Sequence, residues 1–301
     1  MRPLALNERG LDATVSLADL MTGTRPDPSG ETPLTLPDYV NEILTGGFPA
    51  LRGLPEAALH AQLTGYLDRV IDRDFPEQGL SLRHPDTLRA WMRAYAAATS
   101  TTASYEVIRD AATPGVSNKP AKTSTGPWRD VLTRLWLLDP VPAWLPSHNH
   151  FKRLGSGEKH HLADPALAAS LLGVSAEQLI SGNEVGPAVP RDGTLLGALF
   201  ESLVTLSVRV YAQRAGALVR HLRTHRGERE IDLIVQARDG TVVAIEVKLS
   251  ATVDDADVKH LKWLAEKIGK ALRDQVVITT GSYAYRRSDG VAVVPAALLG
   301  P

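Results

Sequence analysis

Residues 230–248 read EIDLIVQARDGTVVAIEVK, two apolar runs that carry Asp232, Glu246 and Lys248. Side chains alternate along a strand. Ile231, Leu233 and Val235 therefore share one face and leave Asp232 on the other. Val243, Ile245 and Val247 likewise leave Glu246 and Lys248 together. Asp239–Gly240 is a favourable hairpin turn, so both carboxylates and the lysine are expected to converge on one patch. Two carboxylates that close repel unless a cation lies between them. Hard oxygen ligands suit Mg²⁺, which usually keeps several waters. Such an ion polarises a phosphoryl oxygen and lowers the pKa of its water, and a neighbouring lysine can orient or deprotonate that water. Asp232 and Glu246 are the expected metal ligands. Lys248 and Glu201 complete the expected catalytic set. Glu201 lies in LLGALFESLV on a helix flank with Gly197, Ala198 and Thr205, small enough to let that flank approach a sheet. The competing reading is an ion-paired, solvated strand face, because E-x-K alternation is common on half-exposed strands.

These residues need a scaffold of strands and helices. A long helix is expected from Leu195 to about Gln213, followed by strands near Leu218–Leu222, Ile231–Gln236 and Val242–Lys248. A helix near Asp254–Leu272 and a strand QVVITT come next. That order implies a mixed sheet with helices beside it. Residues 175–194 are rich in Gly and Pro and read as a linker. Upstream, Leu59, Leu63, Tyr66, Leu67, Val70 and Ile71 recur at helical spacing, as do Leu88, Trp91, Met92 and Tyr95. Asp38 reads as a cap near a short helix that stops at Gly46–Gly47. Asp164 reads as the N-cap of a helix with Pro165 in its first turn. Thr22–Pro33 reads as a loop.

Between Ser104 and His161 the pattern is a short helix SYEVIRDAA, a polar turn, a helix PWRDVLTRLWLLD, and a Pro-rich run able to form a hairpin wing. This order suits a winged helix-turn-helix. Between Lys119 and Lys159, seven Lys/Arg (119, 122, 129, 134, 152, 153, 159) face three acids (130, 139, 158). Lys119, Lys122, Arg129, Arg134, Lys152 and Arg153 are thus expected to contact nucleic-acid phosphates, with a solvated surface as the alternative. His148, His150, His160 and His161 lack acidic partners at helical spacing, so phosphate contact or solvation is expected and not zinc. Trp128, Trp136 and Trp144 are expected as core or wing-packing residues and not as base-stacking platforms.

The balance of the chain limits other functions. Net charge is −1, so no global field recruits DNA or membrane. There is no cysteine, which removes thiolate zinc sites and cysteine nucleophiles. No G-x-S-x-G elbow is present. MRPLALNERG has no apolar h-region after its basic residue. The apolar stretch Leu195–Val210 is interrupted by Gly197, Glu201, Ser202, Thr205, Ser207 and Arg209. A cytoplasmic protein with no membrane partner is expected.

The series helix-Glu201, Asp232, Glu246-x-Lys248 resembles the PD-(D/E)xK nuclease-like superfamily, with Ile231 where that motif has proline. In order along the chain, RPLALNERG, GGFPAL, YLDRVIDRDF, the helix-turn-helix stretch, KHHLADPALAASLLG and EREIDLIVQARDGTVVAIEVKLS resemble the DUF4143 family. That family forms the C-terminal part of bacterial and archaeal AAA-type ATPases. The resemblance implies an α+β chain in three parts. Residues 1–80 would be a helical ATPase lid remnant, 81–174 a winged-helix-like module, and 175–301 a restriction-endonuclease-like α/β domain. It also implies a P-loop ATPase domain before the RPLALNE-like segment. The chain holds no G-x-x-x-x-G-K-[ST], since Gly269–Lys270 lacks both the upstream Gly and the following Ser/Thr. A late start codon or a degenerate descendant would account for this. ATP is expected only in full-length relatives that carry the P-loop. Arg73 and Asp74 are open to nucleotide sensing or to a helix-surface ion pair. The expected function is a regulatory or nucleic-acid-related module without ATP hydrolysis. Its partners would be DNA, an ATPase domain or another protein. The rivals are an active Mg²⁺-dependent nuclease and a protein-interaction module without catalysis.

Overall fold

The computed structural model describes residues 2–79, 84–113, 120–144, 157–182, 186–191, 193–224 and 227–301. Its helices are α1 (Leu17–Met21), α2 (Leu36–Thr45), α3 (Glu56–Arg69), α4 (Pro85–Ala97), α5 (Tyr105–Ala112), α6 (Lys122–Arg134), α7 (Pro165–Leu172), α8 (Ala176–Ser181), α9 (Leu195–Arg214) and α10 (Lys259–Ile268). The strands are β1 (Val15–Ser16), β2 (Gly30–Glu31), β3 (Leu218–Arg223), β4 (Glu230–Gln236), β5 (Val242–Val247), β6 (Leu272–Thr279), β7 (Tyr283–Arg286), β8 (Ala292–Pro295) and β9 (Leu299–Gly300). An α+β fold follows, with the helices gathered in the earlier part of the chain and a mixed sheet in the later part.

The chain divides into two compact units, and both are discontinuous in sequence. One comprises Met1–Pro3, Val40–Pro140 and Lys159–Ser202; the other comprises Leu4–Tyr39, Val141–Glu158 and Leu203–Pro301. Residues 4–39 therefore fold with the sheet, and Val40 onward with the helices.

The first unit is helical. The 3.6-residue spacing of Leu59, Leu63 and Leu67 buries one stripe of α3, and a π-helical turn at Val70–Asp74 carries that stripe on to Val70, Ile71 and Phe75. In α4, Leu88, Trp91, Met92 and Tyr95 are buried as their spacing requires. Trp91 meets Trp128 of α6 edge-on, with ring centroids 6.3 Å apart. Trp128 and, in the second unit, Trp144 are buried as expected, but Trp136 is 52% exposed and has a left-handed backbone (φ 59°). Asp164 caps α7 by accepting from the Ala166 N–H at 2.8 Å. The same buried carboxylate accepts from the Gly47 N–H at 2.7 Å, which ties the end of α2 to the start of α7. A Cβ on Gly46 would lie 2.8 Å from Asp164 Oδ1.

Two boundaries differ from the sequence reading. α6 begins at Lys122, so Pro127 sits inside it and the KTSTG segment is helical instead of turn. The stretch read as a linker holds α8, because Ser175 and Gln178 form a reciprocal capping box that nucleates a short helix.

The second unit is built on a seven-stranded sheet in the order β2-β7-β8-β6-β5-β4-β3. β5, β6 and β8 run parallel and the other pairs antiparallel. α10 places Leu261 and Leu264 against Ile234, Val242, Ala244 and Val277. β1 pairs in parallel with β9, and β2 forms one edge of the large sheet. α9 is the one helix among the described residues with the length and apolarity to cross a membrane. Of its most apolar window, 78% is buried inside the protein, as in a core helix.

Candidate functional site

The hairpin forms where the sequence places it. Asp239 accepts from the Thr241 N–H at 2.9 Å, and Gly240 takes φ 85°, which relieves the steric cost of the turn. Burial of the Asp239 carboxylate is slight. Hydrogen bonds from the Thr241 hydroxyl and N–H hold its pKa below the usual carboxylate value. β4 and β5 then pair with Leu233 opposite Ile245 and Ile234 opposite Ala244.

Strict alternation breaks at the site itself. Between Arg220↔Ile234 and Leu222↔Ile231 the register shifts, so β4 carries one more residue than β3. Such a bulge turns a strand away from simple alternation. Ile231 accordingly joins Ile234 and Leu222 in one buried cluster, which corrects its expected place beside Leu233 and Val235. At this irregular end Asp232 reaches across to β5, where its Oδ2 accepts the Val247 N–H at 2.9 Å.

Glu246 follows on β5 and is buried at 5% exposure. Lys248 Nζ stands 3.8 Å from Glu246 Oε2 and 3.9 Å from Asp257 Oδ1. Asp232, Glu246 and Lys248 are thus brought to one end of the β4–β5 pair, with Asp257 and His260 beside them. Asp257 comes from the turn before α10 and is absent from the expected site, because the sequence pattern extends the helix back to Asp254. Its only signal was the acid density of DDAD at Asp254–Asp257. His260, in the first turn of α10, accepts a role through geometry: its Nδ1 lies 2.8 Å from Glu230 O. Burial, together with the cations Lys259, Arg229 and Lys248, holds its pKa below the usual histidine value, against the pull of that hydrogen bond.

Glu201 belongs to the helical unit, where its Oε1 accepts from Lys159 Nζ at 2.9 Å. Lys159 is buried at 1% exposure, so it is not part of a phosphate-facing surface as its place in the basic stretch suggested. As for the metal, Asp232 and Glu246 offer hard carboxylate oxygens on adjacent strands, a donor set that suits Mg²⁺ with several waters. No group of three or more His, Asp or Glu positioned for a metal occurs among the described residues.

Residues 196–299 match the model for DUF4143, a domain of unknown function. Residues 36–178 match a different one, the domain of unknown function DUF8612. No curated protein and no solved structure matches the chain. The DUF4143 match is therefore narrower than the near-complete resemblance read from motif order. It contains Glu201, Asp232, Glu246, Lys248 and both site residues of the α10 region. It excludes β1 and β2, which complete the same unit from residues 15–31.

Of the expected nucleic-acid residues, Lys122, Arg129 and Arg134 are among those described. Lys119, Lys152 and Arg153 lie outside the described residues, as do His148, His150 and most of the expected wing. Leu138 and Leu162, on either side of that segment, make an isolated antiparallel bridge. Lys122 is exposed on α6 and paired with Glu106 of α5 at 2.6 Å. Arg129, seven residues on and on the same helix face, stacks over the Tyr105 ring at 3.8 Å. Arg134 is exposed and lies on another face of the last turn. His160 and His161 are buried at 1% and 2%, which corrects the expectation of solvation or phosphate contact. The His160 ring packs edge-on between Tyr95 and Tyr105, and its Nε2 donates to Ala103 O at 2.7 Å. Arg73 and Asp74 each form a helix-surface ion pair, with Glu77 at 3.0 Å and Arg69 at 3.4 Å.

Proposed function

We propose that the chain is a nucleic-acid-related or regulatory module of the AAA-type ATPase family and that it hydrolyses no ATP itself. The observation that carries this reading is the charged end of the β4–β5 hairpin, which lies inside the DUF4143 match. There a lysine shared between Glu246 and Asp257 balances the acids internally, an arrangement that supports binding more than turnover. The strand–strand placement of Asp232 and Glu246-x-Lys248 supports a nuclease-like ancestry for the α/β unit. The lack of any P-loop in residues 1–301 supports the negative half of the proposal.

Two measurements test it. Calorimetry of the chain with MgATP is expected to give no binding, and a micromolar affinity would overturn the statement on ATP. A DNA duplex is expected to bind at low salt, with affinity falling steeply as salt rises because phosphate contacts release counterions. Charge reversal of Lys122 and Arg134 should weaken that binding. No binding at low salt would overturn the nucleic-acid arm.

A second reading, an Mg²⁺-dependent nuclease, is favoured by the juxtaposition of Asp232, Glu246 and Lys248. Asp232 and Glu246 would hold the ion, which would supply Lewis-acid polarisation of a phosphoryl oxygen. Lys248 would orient the attacking water from its place 3.8 Å from Glu246 Oε2.

A further inference from the structure

One face of α10 assembles groups that the hairpin does not use. Lys259, His260 and Trp263 are related by i,i+3 and i,i+4 spacing and so project from the same side of the helix. Arg229, just before β4, lays its guanidinium over the Trp263 ring at 5.9 Å from the centroid. Neither Arg229 nor Lys259 has a carboxylate within ion-pair distance among the described residues, and Lys259 is exposed. Glu228, next to Arg229 in the chain, is exposed, and three other acids nearby are engaged. Glu230 holds Arg223 at 2.6 Å, while Glu246 and Asp257 share Lys248.

His260 sits between these cations with a fixed tautomer. Its Nδ1 donates to Glu230 O at 2.8 Å, a contact much shorter than the 3.4 Å from Glu230 N to the same atom. The neutral ring therefore carries its lone pair on Nε2. In that form Nε2 repels an oxyanion; once protonated, Nε2–H donates to one. We propose that Arg229, Lys259 and His260 form a phosphate-binding patch beside the acidic hairpin, taking a phosphodiester of nucleic acid and taking up one proton at His260 as it binds. This deepens the nucleic-acid-related reading above and rests on it for the ligand class.

Field and geometry agree. Burial, Lys259, Arg229 and Lys248 all oppose the imidazolium in the free protein. A bound phosphate neutralises those cations and offers Nε2–H an acceptor, so it raises the histidine pKa. Between the free and bound pKa values, binding takes up a proton and strengthens as pH falls.

The test uses the full chain and histidine NMR, titrated with pH alone, with inorganic phosphate, and with a short DNA duplex. Both ligands are expected to raise the His260 pKa; each unit of rise corresponds to about a tenfold gain in affinity for the protonated form. Arg229→Ala and Lys259→Ala should each reduce the salt slope of DNA binding by about 1. His260→Asn keeps a side-chain N–H for Glu230 O; it should fold, bind DNA and lose the pH dependence. The patch is overturned if DNA binds while His260 titrates unchanged with both ligands and the two alanine variants keep the wild-type slope. If phosphate moves His260 but the duplex never binds, the patch stands as a phosphate site and the nucleic-acid reading falls.

Discussion

Glu246→Gln separates the two readings of the charged hairpin. In the wild type Lys248 Nζ lies 3.8 Å from Glu246 Oε2, and Glu246 is 5% exposed. At that separation the gross attraction of two unit charges is about 4 kcal/mol for an effective dielectric near 20. Desolvation of the buried carboxylate offsets much of this, and Lys248, with about a third of its side chain exposed, is partly screened by water. The net loss expected from the amide is about 1–2 kcal/mol, between the ranges for exposed and buried pairs. Asp232 limits the loss further, since removing one of two neighbouring negative charges relieves repulsion. The assay is urea denaturation in EDTA and in excess Mg²⁺. We expect the variant to lose this increment in EDTA, with the wild-type midpoint unmoved by Mg²⁺. A metal site gives the opposite pattern. Mg²⁺ at a hundred times its Kd would stabilise the wild type by about 2.7 kcal/mol, and Glu246→Gln would abolish that gain while leaving stability in EDTA nearly intact. That second pattern would refute the ion-paired reading.

Other perturbations probe the scaffold. Asp164→Ala removes an N-cap, worth about 1 kcal/mol, and strips the buried Gly47 N–H of an acceptor, worth about 1–3 kcal/mol; denaturation should register a loss of about 2–4 kcal/mol. Gly46→Ala, at φ 71° and with its Cβ 2.8 Å from Asp164 Oδ1, should destabilise as well, and the two effects should not add because they act on one contact. Lys159→Ala removes the buried ammonium that donates to the partly buried Glu201 and should destabilise by the same assay, whereas replacing both partners with apolar residues should recover most of the loss. Burial pushes the pKa of Asp289 up, but hydrogen bonds from Arg287, Lys262 and the Val291 N–H prevail and hold it at about 2. Its contribution is therefore complete above the unfolded value near about 4 and is lost as pH falls towards 2. In Asp289→Asn, stability should depend less steeply on pH across that window.

Local signals account for what could be read in advance. Asp239–Gly240 specifies its turn, Asp164–Pro165 specifies a helix start, and the apolar spacing in α3 and α4 names the buried residues. The helix after Thr35 was read with Asp38 near its cap. In the structure Asp38 reaches back from the first turn to accept from the Thr35 N–H and hydroxyl, and both bonds depress its pKa. The losses are of other kinds. The β4 bulge depends on how β3 pairs, which no window of β4 contains. Residues Val15–Ser16 and Gly30–Glu31 are too short to show any period and become strands only because Leu299–Gly300 and Tyr283–Ala284 lie opposite them. Lys159 adds to the basic count of its stretch in sequence, because its partner, Glu201, is 42 residues away. His260 escaped notice since a histidine in a helical run is chemically mute until the carbonyl of Glu230 fixes its tautomer.

The parallel pairing of β1 with β9 also constrains the order of events during synthesis. Val15 faces Leu299, the Thr14 N–H donates to Leu298 O at 3.0 Å, and the Ser16 hydroxyl donates to Pro301 O at 2.8 Å. A ribosome adding about 5–20 residues per second needs about 15–60 s to travel from the first of these residues to the last. Throughout that interval the N-terminal segment has emerged but has no strand to join, and β2 likewise waits for β7. Leu17 and Leu20, fully buried in the folded protein, lack their β9 neighbours until residues 299–301 have left the exit tunnel. Closure of the α/β unit therefore waits for residues 299–301, and a nascent chain stalled even slightly short of Leu299 should be far more sensitive to proteolysis near residue 15 than the folded protein.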